Sequence, residues 1–342
     1  MPFKNMGTSD LGRVASGPVR VFAMDEAGIA SGQAFLTAEL EKRDMMVRKP
    51  LTSFTYPRDI PLSVGGGWAE VISAMQVGYG ITGGSGDGII TAGGANGIPM
   101  VQADFSKGLF KTHMIALGTR IQWIDMQRGN MTGRNLDNLL QNGLRMTYDK
   151  HMDENTYVGF KTYGTTGLLN NPDVMITDAA SNGATSPSTK FKDKTPDQIL
   201  GDINTAILTA WENSEWDNDA IANHILLPYE QYNRLAVTRV SDLAEKTILT
   251  FLLENNVAKQ NGSDLFIGAS NWCKGAAADG SSDRMVVYCS KDRFLKMDEL
   301  VPITRAMTSP NSDHFCYDTA YAGNVSEVQV FYAQTMLYVD KI

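Results

Sequence analysis

Gly164-Thr165-Thr166-Gly167-Leu168-Leu169-Asn170-Asn171-Pro172-Asp173-Val174 lies between a strongly amphipathic stretch and a polar linker, and reads as a tight structural turn. Pro172 fixes its own φ and biases Asn171 away from the helical region, while Gly164 and Gly167 permit backbone geometries that other residues avoid. Leu168, Leu169, Asn170 and Asn171 belong to the same turn. No catalytic grouping is present in it, so its meaning is architectural.

On the N-terminal side of the turn, residues 131–154 carry the clearest helical pattern in the chain. Leu136, Leu139, Leu140, Leu144 and Tyr148 share one stripe, Thr132 is the expected N-cap, and Arg134, Asp137, Gln141 and Arg145 occupy the opposite face. A helix of this length spans about 30 Å. Further upstream, residues 68–79 and 110–124 have extended character. Val71, Met75, Val77 and Tyr79 fall on one face of the first, and Ile115, Leu117, Ile121 and Trp123 on one face of the second, as in the legs of a long hairpin. Residues 78–97 between them hold nine glycines and almost no charge beyond Asp87, too little side chain for a core. In residues 1–50 only Gln33–Lys42 has a helical period; the rest reads as an extended arm, ordered by the body of its own subunit or by a neighbour.

On the C-terminal side, residues 178–195 are rich in Ser, Thr, Ala, Asn and Lys without periodicity and read as a linker or surface loop. A new unit follows. Thr195-Pro196-Asp197-Gln198 is a capping-box start with proline at the first helical position, and Ile199, Ile203, Ile207 and Trp211 mark the buried stripe. His224–Tyr229 reads as a buried strand ending at a proline. Ser241 is expected to begin a helix with Leu243, Ile248, Phe251 and Leu252 on its apolar face. Strands Leu265–Ile267 and Met285–Tyr288 flank a small-residue turn at 275–282. Helix, strand, helix, strand, strand describes an α/β unit.

Composition narrows the function classes. A chain of 342 residues needs no staples to build a core. Cys273, Cys289 and Cys316 are odd in number and lack Cys-x-x-Cys spacing, which argues for reduced thiols. No stretch approaches the roughly 18 apolar residues of a membrane span, and no signal-like apolar segment opens the chain. The expectation is a protein kept in the cytoplasm with no membrane partner. Net charge is −8, with pI near 5.1, against a phosphate-neutralising surface over the whole chain.

Motifs with chemistry fail on context. Gly78-Tyr79-Gly80-Ile81-Thr82-Gly83 matches a dinucleotide fingerprint as a string, yet more glycines follow it and no acidic residue sits about 20 residues on. Gly83–Gly88 resembles a calcium nonapeptide, but one carboxylate without a second copy cannot hold the ion. His113, His151, His224 and His314 have no ligand-spaced partner. No G-x-S-x-G, H-E-x-x-H or P-loop string occurs. Asp149, Asp153 and Glu154 read as a solvated helix face. The five tryptophans alternate with apolar residues, fitting cores and subunit contacts rather than base stacking. Catalytic, cofactor-binding and metal-binding residues are therefore all expected to be absent.

The Gly-Leu-Leu-Asn-Asn-Pro turn, following a long helix that itself follows a Gly-rich extended segment, resembles the Hong Kong 97-like major capsid proteins of tailed bacteriophages, to which bacterial encapsulins are related. The order of motifs carries the resemblance from about Asp59 to Ile342: Asp59–Val64 with Trp68–Glu70, then Leu300–Pro302, Val328–Tyr332 and Tyr338–Ile342 as closing strands. It implies an α+β fold with an N-terminal arm at 1–58 and an extended β-hairpin, the E-loop, at 59–125. A P domain with a long spine helix follows at 126–195, then an inserted A domain at 196–299 and closing P-domain strands at 300–342. In that frame Tyr79, Ile81, Asp87, Ile89 and Ile90 contact the neighbouring subunit at the E-loop tip, and Gly275, Asp279 and Gly280 belong to an axial loop. The resemblance implies self-assembly into hexamers and pentamers of an icosahedral shell around double-stranded DNA, without sequence-specific contact. Separate scaffolding, portal or decoration proteins are the further partners implied, with assembly in the bacterial cytoplasm. Lys107 and Lys111 lie near the loop, but no residue-by-residue match supports the lysine–asparagine cross-link of some relatives. An encapsulin-like compartment is the alternative on the same fold; an enzyme or binding module with an unrecognised site is the alternative from another class.

Overall fold

Alternating side chains in β7 (Arg284–Tyr288) and β12 (Met336–Asp340) are buried at every position, because the sheet they belong to is covered on both faces. In the computed structural model, which describes residues 50, 52–82, 100–132, 136–241 and 246–342, they join β4 (Met175–Asp178), β5 (His224–Leu227) and β6 (Phe266–Ala269) in the order β4-β12-β7-β5-β6. β12 runs parallel to β4 and antiparallel to β7, and β5 antiparallel to β7 and parallel to β6. Ile225, Leu227, Met285, Val287, Leu337 and Val339 face α4 (Pro196–Asn213) through Ile199, Ile203 and Ile207, with α5 (Tyr229–Val237), α6 (Ile248–Glu254) and α7 (Val257–Gln260) completing that layer. The intervening Leu226, Val286, Tyr288, Met336 and Tyr338 pack on the other face against Tyr148, Met152 and Tyr157 of α3 (Leu136–Val158).

A second, four-stranded sheet has the order β2-β3-β10-β9, from β2 (Val71–Thr82), β3 (Met100–Gln122), β9 (Val301–Asn311) and β10 (Cys316–Ser326). β3 changes partners along its length: residues 100–111 pair with β2 and residues 112–122 with β10. At the changeover Lys111 and Glu327 exchange backbone and side-chain hydrogen bonds. A small sheet sets β1 (Leu62–Val64) parallel to β8 (Leu295–Glu299), with β11 (Gln329–Val330) on its far side. α1 (Tyr56–Asp59) lies against α3, and α2 (Trp123–Thr132) follows β3.

The turn after α3 works by bare-backbone contact. Gly159 has φ +81, and the returning chain donates Leu168 N–H to Thr156 O at 2.9 Å and Leu169 N–H to Tyr157 O at 3.0 Å. A Cβ on Gly167 would stand 2.5 Å from the Tyr157 carbonyl carbon, so only glycine fits. Asn170 clamps the crossing: its Oδ1 accepts from Gly167 N–H at 2.6 Å and its Nδ2 donates to Val158 O at 2.8 Å. Gly164, at φ +66, ends a short 3-10 turn, Leu168 and Leu169 are buried, Asn171 Oδ1 accepts from Asp173 N–H, and Pro172 is exposed.

Several sequence expectations are corrected. The second hairpin leg begins at Met100 and ends at Gln122; Trp123 and Ile124 start α2, where Trp123 N–H bonds Phe315 O and the ladder stops. Thr132 belongs to α2, residues 133–135 before α3 lie outside the described ones, and Leu139 is 47% exposed. The polar linker hides Phe191 at 1% exposure beneath α4 and contributes a residue to β4. Pro228 begins α5 rather than only ending a strand, and α6 starts at Ile248 with Thr247 as its cap. Leu243 lies outside the described residues.

Replacing Gly167 with Ala should lower unfolding stability by about 1–3 kcal/mol through overpacking. Gly201→Ala, on the open face of α4, should raise it by up to about 1 kcal/mol. Urea denaturation followed by circular dichroism reads both.

Candidate assembly surfaces

Arg284, the first residue of β7, brings two of the sequence-marked segments together. Its guanidinium pairs with Asp340 of β12 through Nε–Oδ1 at 2.6 Å and Nη2–Oδ2 at 2.8 Å, and its Nη1 donates to Leu169 O at 2.6 Å. Both side chains are about 95% buried, and the guanidinium lies 4.5 Å from the centroid of the Tyr338 ring. The Tyr338 hydroxyl donates to Leu168 O at 2.6 Å and accepts from Asn171 N–H at 3.2 Å; burial raises its pKa. Asp340 Oδ2 also accepts from Ala278 N–H at 2.9 Å, in the loop before β7. In that loop Asp279 accepts from Ser281 N–H, Ser282 N–H and the Ser282 hydroxyl, which hold its carboxyl well below the usual range. Gly275 (φ +65) and Gly280 (φ +71) take the left-handed turns. The turn at 164–172 and the loop at 275–280 therefore share one buried ion pair.

Of the carboxylates at the end of α3, Asp149 and Glu154 are partly exposed, but Asp153 is not on a solvated face. Asp153 is 6% exposed and accepts from Thr55 N–H at 2.8 Å, Tyr56 N–H at 3.0 Å and Trp272 Nε1 at 2.7 Å. Asp59 is fully buried; it takes Arg58 Nε and the Tyr157 hydroxyl on its carboxylate, while Tyr288 donates to its backbone carbonyl at 2.6 Å. Burial pushes the Tyr157 and Tyr288 hydroxyls up and the Cys273 thiol to about 12. These acids terminate structural donors. Aspartates scattered over α1 and α3 gave no local signal of this, since Trp272 and the segment at Thr55 and Tyr56 reach Asp153 only through the fold.

His113 and His224 are packed against aromatic rings, Phe160 and Tyr163 for the first, Phe266 and Tyr288 for the second, and burial lowers both pKa values. Among the described residues no three His, Cys, Asp or Glu come together as metal ligands, and no helix is long and apolar enough to cross a membrane. Gly78 and Gly80 of the fingerprint string lie within β2, where they pair with Asp104 and Gln102.

The hairpin presents an uncovered apolar face. Pairing of Val77 with Phe105 and Ile81 with Val101 puts Val71, Met75, Val77, Tyr79, Ile81, Val101, Phe105 and Leu109 on one side, each between 43% and 79% exposed. The opposite side touches the body, with Gln76 donating to Phe331 O and Phe110 edge-on to Phe331. Tyr79 and Ile81 are thus placed in the open; Asp87, Ile89 and Ile90 lie outside the described residues.

The described residues form a mixed α+β body that carries a long hairpin with one apolar face open. The family profile described as Major capsid protein matches residues 86–342, and the chain belongs to that family. Its members are structural proteins, not enzymes, and as phage capsid proteins are part of the virion. The fold is Hong Kong 97-like. The capsid of Myoviridae phage XM1 is similar at 16% identity and a TM-score of 0.72, over 89% of this chain and 98% of that one. The capsid of a native GTA particle is similar at 10% identity and a TM-score of 0.61, over 93% and 99%. A chain of Microbacterium phage Oxtober96 is similar at 11% identity and a TM-score of 0.57, over 90% and 97%. Among curated proteins no match is found.

Asp340→Ala should destabilise the fold by about 3–5 kcal/mol, because it leaves the Arg284 charge buried without its partner. Arg284→Met combined with Asp340→Leu should recover much of that loss, as read by chemical denaturation of the single and double variants.

Proposed function

We propose that this major capsid protein assembles into hexamers and pentamers that close an icosahedral head around double-stranded DNA. The observation that supports it most directly is the one-sided apolar hairpin. An exposed stripe of this kind on a soluble chain marks an interaction surface, and copies of the same chain are the partners that the family supplies. In this reading residues 59–125 are the E-loop with its base, which lies over an adjacent subunit through Tyr79, Ile81 and the tip residues Asp87, Ile89 and Ile90. Residues 126–195 form the P domain and 196–299 the A domain, with Gly275, Asp279 and Gly280 on an axial loop. The segment 300–342 closes the body, its β9 and β10 widening the hairpin sheet and its β12 entering the five-stranded one. Residues 1–58 are the arm. Many modest contacts of this sort sum to a shell far stronger than any one of them.

A net charge of −8 suits a wall that encloses DNA without gripping it by sequence. Scaffolding, portal and decoration proteins are the separate partners of this scheme, with assembly in the host cytoplasm.

Val77→Asp combined with Phe105→Asp places two charges on the open hairpin face without touching the core. The expected result is an unchanged thermal midpoint with loss of closed particles, seen by size exclusion and negative-stain electron microscopy. Particles in normal yield would remove this face from subunit contact.

A further inference from the structure

Loop 214–217 and a basic cleft stand at opposite ends of α4. The loop holds two successive residues with side chains in the left-handed region, Glu215 at φ +55 and Trp216 at φ +61, a conformation such residues avoid. Trp211 enforces it: its carbonyl accepts from Ser214 N–H and Trp216 N–H, and its Nε1 donates to Asp217 O at 3.0 Å. The result holds the Trp216 ring edge-on to Trp211 yet 50% exposed, flanked by the exposed carboxylates of Glu212 and Glu215, neither of which has an ion-pair partner among the described residues. Strain spent on displaying an indole between two acids suggests a surface that is used.

The cleft, of about 500 Å³, lies before the N-cap of α4 and beside the start of β7 and the end of β12. Its charges without ion-pair partners among the described residues are the exposed Lys190 and Lys192, together with Arg234, whose Nη2 donates to Lys194 O at 3.4 Å while its Nε is buried and unpartnered. Gln231 Oε1 is a second buried atom there lacking a partner. The other lining charges are engaged: Glu230 with Lys274, Lys341 with Asp178, and Asp283 with Gln231 Nε2 and Gly275 N–H. What is left is a cationic socket.

Loop and socket cannot meet within one chain, since the 18 residues of α4 hold them about 27 Å apart. The sheet tells the same story: the socket is at the Arg284–Asp340 end of β7 and β12, whereas the segment following the loop contacts Cys289 and Lys291 beyond the far end of β7. We propose that Glu212, Glu215 and Trp216 of one subunit dock into the Lys190, Lys192 and Arg234 socket of the next. This is a contact between unlike patches, which repeats head to tail and closes into a ring. It rests on the reading that copies of this chain form a shell, and it names one lateral contact within it.

Charge swapping tests it. Glu212→Lys with Glu215→Lys, and separately Lys190→Glu with Lys192→Glu, should each lower the yield of rings and particles about tenfold at low salt, because like charges then face each other. All four changes in one chain should restore assembly, with thermal midpoints unchanged throughout. A second measurement does not depend on weakening the contact: Glu215→Cys and Lys192→Cys in one chain should give a ladder of disulfide-linked multimers on mild oxidation. Wild-type particles accompanied by undiminished yield in both reversed variants, by failed rescue or by a missing ladder would overturn this contact alone. A wild-type chain that stays monomeric would overturn the shell reading and this contact with it.

Discussion

The Arg284–Asp340 pair is the constraint on which the rest of the body depends. Two charges removed from water are costly, and their mutual attraction offsets that cost only when the remaining donors and acceptors are also satisfied. Here they are: the guanidinium also reaches Leu169 O, and the carboxylate also takes Ala278 N–H. Each extra bond comes from a different part of the chain. The pair therefore sets β7 against β12, ties the turn after the long helix to the end of that sheet, and anchors the loop that precedes β7. A shift of β7 by one residue would put Met285 opposite Asp340 and strand the charge, so the pair selects register as well as contributing stability.

Around that point the two layers divide the labour. One face of the five-stranded sheet is aliphatic and meets α4, whose Ile199, Ile203 and Ile207 recur at a strict helical spacing. The other face carries Tyr288 and Tyr338, whose hydroxyls reach backbone carbonyls in segments that cover it. Polar tips thus serve as fasteners across the layer that holds α3, where aliphatic packing alone would leave the angle of the helix loosely specified. Asp59 and Asp153 act in the same way on the short α1.

How much of this was legible beforehand depended on how local each cause is. The capping box at Thr195 and Gln198 forms as its spacing implies, with reciprocal side-chain bonds, because all its atoms lie within one turn. The Gly167 turn was readable as a turn, but not the reason for its glycines, since the obstructing Tyr157 backbone arrives only through the fold. Asp153 looked like a solvent-facing acid because its three donors come from residues about a hundred positions away. The closing strand marked at Leu300–Pro302 is the start of β9, and its further course was not legible for a related reason: Val301–Asn311 is mostly exposed and polar, and it is extended because β10 offers it a ladder, not because its own pattern demands one. Of the expected contact residues, Tyr79 and Ile81 lie on the exposed face of β2, while Gly275, Asp279 and Gly280 were readable as a turn without any sign of their tie to Asp340.

The continuous β3 has a mechanical side. Its 23 residues extend about 75 Å, yet no single partner runs alongside for that distance. Between Lys111 and Thr112 the ladder passes from β2 on one flank to β10 on the other, so the hairpin is carried to the body by the covalent strand, by the bonds of Glu327 and Glu70 beside it, and by the Gln76 and Phe110 contacts with Phe331. Such a joint is stiff along its length and compliant sideways, like a leaf spring clamped at alternate edges. A subunit built this way can set its hairpin at different tilts by flexing one short span, with both ladders left intact.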